Sequence, residues 1–600
     1  TMPVLPAYYT GVGTINNEGS ALMTAKVYER ILDLLEAEGI NTLFGIPDPG
    51  FIHMAMTAEG RGWNVVSPHH EQAGGFMADA WSRMTGKPGV CFGTQGPGVS
   101  NLAAAMIVAA KENAPTIFFG GQRSRVAYQR ARRGRIQFID QVSNFKPMMK
   151  YVGIIEEPDQ CDEIVREAIR QVTSGKPGPA YIELPLSVIH EQFNWPPITP
   201  PETYRLVEQA ASAPMIARAV ALIQAAKNPV LLVGQGMFTS RSHQVVGQLA
   251  KLMDCPILQT SGCAMVIEGM EDRTFAYGFS PAGRAAANES DLCIAIGTEL
   301  GEPVHMGIGR HWEKNDNNRK WIHIERDGMA MNVNRPIDVP LVGDIRDVVP
   351  QLIEALAATP RTPSAEFTQW KTLQQQWKAE LLASVPSGSR PVHPARFIVE
   401  ATKAIPGDAI YAADGGSVTI FGWTYSQYQP RDLVWNQNTG HLGTGLPYAV
   451  GAAIAADGKR PVVLVTGDSS FMFHIAELET AVRKKLPIVC VVGCDYSWGL
   501  EVGCWRKQVG PDSPETEAHW GDWVRFDQIA RGFGAEGVLV EKEEDIAATV
   551  ERAIASGRTT VIQVPIDPDA NAMDAPNYEE FKSWYTDFKA GYGADAEDAY

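Results

Sequence analysis

Two aspartates, Asp468 and Asp495, stand 27 residues apart, each just past the end of an apolar run, and that spacing restricts what the segment can become. The first run is Pro461–Thr466 (PVVLVT), followed by Gly467; the second is Pro487–Val492 (PIVCVV). Apolar positions at helical spacing predict a helix over Phe473–Arg483. A strand–helix–strand unit with a right-handed crossover sets both strand ends on one edge of a parallel sheet. Two carboxylates there make a hard-oxygen site for Mg²⁺, and Gly467, Ser469 and Ser470 offer backbone and hydroxyl donors to phosphate oxygens. The pattern points to a metal accompanied by a diphosphate. Taken alone, Asp468 also reads as an ordinary strand-end residue capping a helix.

A chain of 600 residues is too long for one core and suits roughly three to four domains. Its net charge of −17 argues against a nucleic-acid partner, which needs a basic face. No apolar run reaches membrane-spanning length, and residues 1–20 contain no apolar signal-peptide core, so no membrane partner is expected. The eight cysteines are scattered without a metal-binding spacing, several inside apolar runs, which reads as buried thiols in a reducing cytoplasm.

Two proline-rich breaks, Trp195–Pro201 and a diffuse one over 359–394, divide the chain. They leave 21–190, 205–355 and 390–566, with an acidic tail at 567–600 that has no strand signal. Each block alternates β-rich runs such as Gly89–Gly93, Pro229–Gly234 and Thr560–Val564 with helical stretches. The expectation is an α/β protein of three doubly wound parallel-sheet domains with a C-terminal helical lid segment.

In the first block, Pro68-His-His-Glu-Gln-Ala-Gly-Gly reads as a helix start with Glu71 near its N-terminus. A carboxylate there is partly buried, which raises its pKa, or it only complements the helix dipole. Gly45-Ile-Pro-Asp-Pro-Gly50, the Glu71 segment and Thr94-Gln-Gly-Pro-Gly-Val-Ser-Asn101 occur in order; Asp414-Gly-Gly-Ser417, Gly440-His-Leu-Gly-Thr-Gly445 and the aspartate pair follow. Over about 21–565 this arrangement resembles the thiamine-diphosphate enzymes, the family of acetolactate synthases, oxalyl-CoA decarboxylases and 2-hydroxyacyl-CoA lyases. The metal motif departs from the family form: Ser469 replaces a glycine, and Cys494-Asp495 replaces Asn-Asn.

The resemblance implies that the first block binds the cofactor's pyrimidine, with Pro47 beside it and Glu71 bonding the ring nitrogen to activate the cofactor. The third block then binds the diphosphate through Gly416, Ser417, Gly467, Ser469 and Ser470. Asp468, Asp495 and the backbone carbonyl of Ser497 hold Mg²⁺. Leu442 bends the cofactor and Gly440 accepts from its amino group. The resemblance further implies a homo-oligomer, a dimer of dimers, in which Glu71 of one subunit meets the diphosphate site of another.

After the metal motif, Glu501 stands among Trp498, Leu500, Val502 and Trp505. In apolar surroundings it is easily protonated and suits general acid–base work; it also reads as an exposed glutamate at a helix start. Gln137 and His70 are further catalytic candidates, each with a structural reading beside it. Six arginines crowd Arg123–Arg135, fitting phosphates of an acyl-CoA substrate or, equally, a solvated loop. Tyr578, Phe581, Tyr585 and Phe588 make an apolar stripe, with Trp584 alongside, that docks permanently or closes as a lid. Gly234-Gln-Gly-Met-Phe238 and Glu325 mark the middle block as a site for ADP or coenzyme A, without a complete phosphate fingerprint.

The resemblance is strongest to 2-hydroxyacyl-CoA lyases of the actinobacterial type. It implies cleavage of a 2-hydroxyacyl-CoA, 2-hydroxyisobutyryl-CoA among them, to formyl-CoA and acetone. The alternative is an acetolactate-synthase-like carboligase or a decarboxylase of 2-oxo acids or oxalyl-CoA.

Overall fold

The computed structural model describes residues 14–15, 21–128, 130–359, 361–512 and 514–585. Long apolar runs dictate its framework. Strands such as Val462–Gly467, Ile488–Cys494 and Thr116–Gln122 are buried along their whole length. Strands covered on both faces read as continuous rather than alternating apolar runs, and they belong in parallel sheets. Three six-stranded parallel sheets result, each flanked by helices.

The chain divides into two compact units, one reaching Val207 and the other running on from Glu208, with Asp79–Gly86 grouped with the second. The first unit holds one six-stranded sheet, whose central strands are Gly89–Gly93 and Thr116–Gln122. A small antiparallel sheet pairs Ala21–Lys26 with Thr14–Ile15 and Gln192–Trp195.

The second unit holds the other two. One is built around Pro229–Val233 and Leu292–Ile296, with Trp312, Trp321 and Trp370 in its core. The other runs in the order Asp432–Val434, Ile410–Ala413, Val462–Gly467, Ile488–Cys494, Thr560–Pro565, Glu536–Leu539. In it the neighbouring strands Ile410–Ala413 and Val462–Gly467 lead onward in opposite directions, to Asp432–Val434 on one side and Ile488–Cys494 on the other. Such a switch point leaves a crevice at the carboxyl ends of the two strands, where open α/β sheets bind ligands.

The single helix expected over Phe473–Arg483 is two: Asp468–Phe473 and Glu477–Arg483. The break falls at His474, whose ring bonds the carbonyl of Gly443 at 2.8 Å in place of continuing the helical spacing. Beyond the last strand, the tail forms the short helix Tyr578–Lys582 and a turn over Ser583–Tyr585. Phe588 and the side chain of Tyr585 lie outside the described residues. No helix among the described residues is long and apolar enough to cross a membrane.

Leu464 sits fully buried at the centre of the switch-point strand. Leu464→Ala is expected to lower stability by about 2–5 kcal/mol, the usual cost of such a cavity, as read by denaturant unfolding.

Candidate active site

Register brings the two aspartates together. Gly467 pairs with Gly493 across the sheet, so Asp468 and Asp495 leave adjacent strand ends on the same edge. Asp468 starts the helix Asp468–Phe473 and is 1% exposed. Its Oδ1 accepts from the backbone N–H of Ser469 and its Oδ2 from that of Tyr496, both at 2.9 Å. Asp495 Oδ1 accepts from Ser497 N–H at 3.1 Å. Tyr496 lies in the left-handed region at φ 55°, a conformation that disfavours most side chains, and the turn it makes sets Ser497 beside the aspartates. Burial, and then repulsion from Asp495, pushes Asp468 well above the ordinary carboxylate range; burial raises Asp495 too.

These residues fit a divalent cation. Among the described residues no cluster of three or more histidine, cysteine, aspartate or glutamate side chains forms a cage. Two carboxylates plus a backbone carbonyl leave the remaining coordination to ligand oxygens and water, as Mg²⁺ prefers. They also fit a diphosphate. The Ser417 Oγ is buried without a hydrogen-bond partner. A Cβ on Gly416 would press on Leu500 at 3.1 Å, and one on Gly499 would strike Asp495 Oδ2 at 2.1 Å, so glycine keeps this cradle open.

The cradle is the floor of a cavity of about 560 Å³. Gly440, His441 and Leu442 form one wall and Leu500, Glu501 and Trp505 another. Tyr578, Phe581, Lys582 and Trp584 of the tail form a third. Gly467, Ser469 and Ser497 line it as well, but Ser470 does not: it is buried beneath Gly415. Glu501 requires a correction. It occupies the first turn of the helix Gly499–Gln508 on the cavity wall, yet it is exposed, because Val502 and Gly503 take the buried face of that helix.

Two further residues shape the cavity, Asp414 at the head of a motif segment and Asn436 outside any motif. Asp414, 3% exposed, accepts from the N–H groups of Gly415 and Gly445, each at 2.7 Å, tying the two glycine loops together. Burial pushes its pKa up to about 6. Asn436 donates to the carbonyl of His441 at 3.0 Å and accepts from its N–H at 2.7 Å, fixing the loop that presents Leu442. A buried asparagine just ahead of a glycine-rich turn is the one sequence cue that could have flagged it.

In the first unit Glu71 opens the helix Glu71–Thr85 and is half-buried. Asn101 donates to its Oε2 at 2.9 Å, and Gly98 clears room for Oε1, which would lie 3.2 Å from a Cβ at that position. His70 is exposed, and its Nδ1 accepts from Gln72 N–H at 3.2 Å, so it caps the helix. Pro47 is exposed in the loop after Thr42–Gly45. Gln137 is exposed at φ 57°, its backbone against Gly96 and its amide oxygen 3.4 Å from Gln95 Nε2. The buried Gln141, unforeseen from sequence, supports that loop by accepting from Gly96 N–H at 2.9 Å.

Of the arginines, Arg125 pairs with Glu157 and Glu191, and Arg135 stacks on Phe138. Arg130, Arg132 and Arg133 are exposed. In the middle sheet Gly234 and Gly236 pack against Gly297, and burial raises Glu325, at a strand end, to about 7.

A carboxylate pair at a sheet switch point, a glycine cradle and a helix-borne glutamate in a separate α/β unit describe a thiamine-dependent enzyme. Family models agree: the thiamine pyrophosphate enzyme N-terminal TPP binding domain matches residues 25–144, the central domain 216–352 and the C-terminal TPP binding domain 414–564. The chain belongs to this family. It is similar to the acetolactate synthase large subunit of Parasynechococcus marenigrum, with 28% identity over 92% of this chain and 89% of that one. It is likewise 28% identical to the acetolactate synthase of Bacillus subtilis, over 92% and 95%. The acetolactate synthase isozyme 3 large subunit of Escherichia coli is 26% identical over 90% and 94%.

Because both carboxyls are raised above the ordinary carboxylate range and their protonation competes with the cation, Mg²⁺ affinity should fall as pH is lowered, beginning above the pH at which an ordinary carboxylate titrates. Calorimetric titration of Mg²⁺ in the presence of thiamine diphosphate measures it; an affinity independent of pH would contradict the raised pKa values. Asp414→Asn leaves one loop N–H without its acceptor and is expected to weaken thiamine diphosphate binding about tenfold in the same assay.

Proposed function

We propose that this chain is a thiamine-diphosphate- and Mg²⁺-dependent carbon–carbon lyase. It cleaves a 2-hydroxyacyl-CoA reversibly to formyl-CoA and a ketone or aldehyde, with 2-hydroxyisobutyryl-CoA and acetone as the expected pair. The observation that carries this reading is a carboxylate, Glu501, on the wall of the same cavity as the metal aspartates, facing a tail rich in aromatic residues. A synthase that joins two 2-oxo acids has no substrate hydroxyl to deprotonate at its first bond cleavage; a 2-hydroxyacyl lyase does.

Thiamine diphosphate, when bound, supplies the nucleophilic carbon and the electron sink that the cleavage needs. The chain's residues do the rest. Asp468, Asp495 and the Ser497 carbonyl hold the metal, and Ser417 and Ser469 bind phosphate oxygens. Glu71 Oε1, the oxygen that Asn101 does not bond, exchanges the activating proton. Glu501 accepts the substrate's hydroxyl proton as the carbon–carbon bond breaks and returns it in the reverse direction. The tail covers the cavity and excludes water, and a covering thioester dries the surroundings of Glu501. We further propose a homodimer, paired into a tetramer, in a reducing cytoplasm, with the first unit of one copy completing the cavity of another.

The named relatives favour a second reading, an acetolactate-synthase-type carboligase acting on pyruvate. Incubation with 2-hydroxyisobutyryl-CoA, thiamine diphosphate and Mg²⁺ should release acetone and formyl-CoA. No acetone, with acetolactate formed from pyruvate, would establish the second reading instead. Glu501→Gln is expected to bind cofactor normally and to lose about 10²–10⁴ in turnover of the thioester, measured as kcat. A near-normal kcat would remove Glu501 from the reaction.

A further inference from the structure

The second unit contains another cavity, of about 300 Å³, to which the reaction above assigns nothing. The helix Ser417–Tyr425 lines both. Ser417 and Ile420 face only the first cavity, Gly422 and Thr424 only the second, and Val418, Thr419 and Trp423 face both. The far wall is the helix Ala365–Ser384, through Gln374, Trp377, Lys378 and Leu381.

Three features give this cavity a ligand chemistry. First, none of the residues lining it is acidic, in a chain of net charge −17, and Lys378 is the one charged side chain among them. Lys378 makes no ion pair with any described carboxylate; part of its surface is exposed, and partial burial of its amine lowers its pKa, a shift that an anionic ligand beside it would oppose. Second, Ser261 Oγ, Thr419 Oγ1 and Gln374 Oε1 are buried without hydrogen-bond partners. All three side chains belong to the lining, so the chamber is polar in part as well as aromatic. Third, Trp377, Tyr411, Phe279, Trp423 and Trp435 supply flat apolar surface. An apolar chamber with a few polar groups and one cation is the usual construction of a small-molecule site.

We propose that this cavity binds a small monocarboxylate with an aromatic body, separately from thiamine diphosphate. The carboxylate meets Lys378, and the ring lies among Trp377, Tyr411 and Trp423. Because Trp423 packs on Trp435 and Phe279 with ring centroids 5.1 Å apart, and on Trp584 of the tail at 5.3 Å, the ligand would touch a side chain that also walls the cofactor cavity.

Phenylacetate is a suitable probe, with 2-phenylethylamine as its cationic counterpart. Calorimetric titration of the full chain saturated with thiamine diphosphate and Mg²⁺ should show one saturable phenylacetate site per chain and none for the amine. Lys378→Met should weaken phenylacetate about tenfold, the cost of one charged hydrogen bond. Gly422→Leu, whose side chain points into open space, should fill the cavity and abolish binding while leaving the fold and cofactor affinity intact. Four results would overturn the proposal: no saturable binding; equal binding of the amine; wild-type affinity in both variants; or loss of the phenylacetate site on loading with thiamine diphosphate, which would put the probe in the first cavity. If the cofactor itself failed to bind, the same titration of the cofactor-free chain would still decide.

Discussion

The repulsion between two buried carboxylates at adjacent strand ends organises the third sheet and its surroundings. Neither aspartate is neutralised by a described lysine or arginine, and each is held by backbone N–H groups that favour its ionised form. Such an arrangement opposes folding unless a cation completes it, since burying like charges without a counter-ion is costly. The rest of the edge is built to permit that completion. Tyr496 takes a left-handed conformation, Gly499 and Gly416 give up their side chains, and Asp414 pins two glycine loops to each other. Stability at this edge is surrendered locally to make a site, and the fully buried strands Val462–Gly467 and Ile488–Cys494 absorb the cost.

The strands were legible because burial on both faces writes itself as an unbroken apolar run, and no tertiary information is needed to see it. The aspartate pair was legible for the related reason that crossover handedness and parallel register convert sequence spacing into proximity. Long-range bonds were not. Asp414 meets Gly445 across 31 residues, and the helix over Phe473–Arg483 breaks at His474, whose backbone leaves the helical region while its ring meets the carbonyl of Gly443, also 31 residues away. Neither partner is visible from local composition. Glu501 failed differently: its apolar neighbours in sequence are not all its neighbours in space, since successive helical residues point about 100° apart. Val502 is buried, while Glu501 stays exposed on the cavity wall. Ser470 stood in the motif yet turned under the floor, because two consecutive helical residues cannot face one ligand alike.

The relatives and the cavity bear on different parts of the protein. The matched models run through the three α/β blocks, and the candidate metal residues Asp468 and Asp495 sit at strand ends of that framework. Identity of 26–28% is compatible with keeping that framework while the walls of the cavity change. Of the cavity's walls, the helix Gly499–Gln508 lies within the last family match and the tail beyond residue 564, where that match ends. The tail is thus the one wall of this cavity that the family match does not reach.

The tail is tied down by polar contacts as well as aromatic ones. Asn571 donates to the carbonyl of Gly499 at 2.6 Å, joining the tail to the helix that carries Glu501. Asn577 donates to the carbonyl of Phe279 at 2.9 Å. Glu580, 3% exposed, is raised by burial, but a 2.9 Å bond from His311 with nearby His305 and Arg310 outweighs this and holds it below the usual carboxylate range. An ionised, paired carboxylate at that depth makes detachment costly, because withdrawal would strand the imidazole and guanidinium partners as well as expose Tyr578 and Trp584. The segment through Trp584 is thus better described as a wall than as a hinged flap. The helix Gly499–Gln508, which walls the same cavity with only Val502 and Gly503 buried, has fewer such ties.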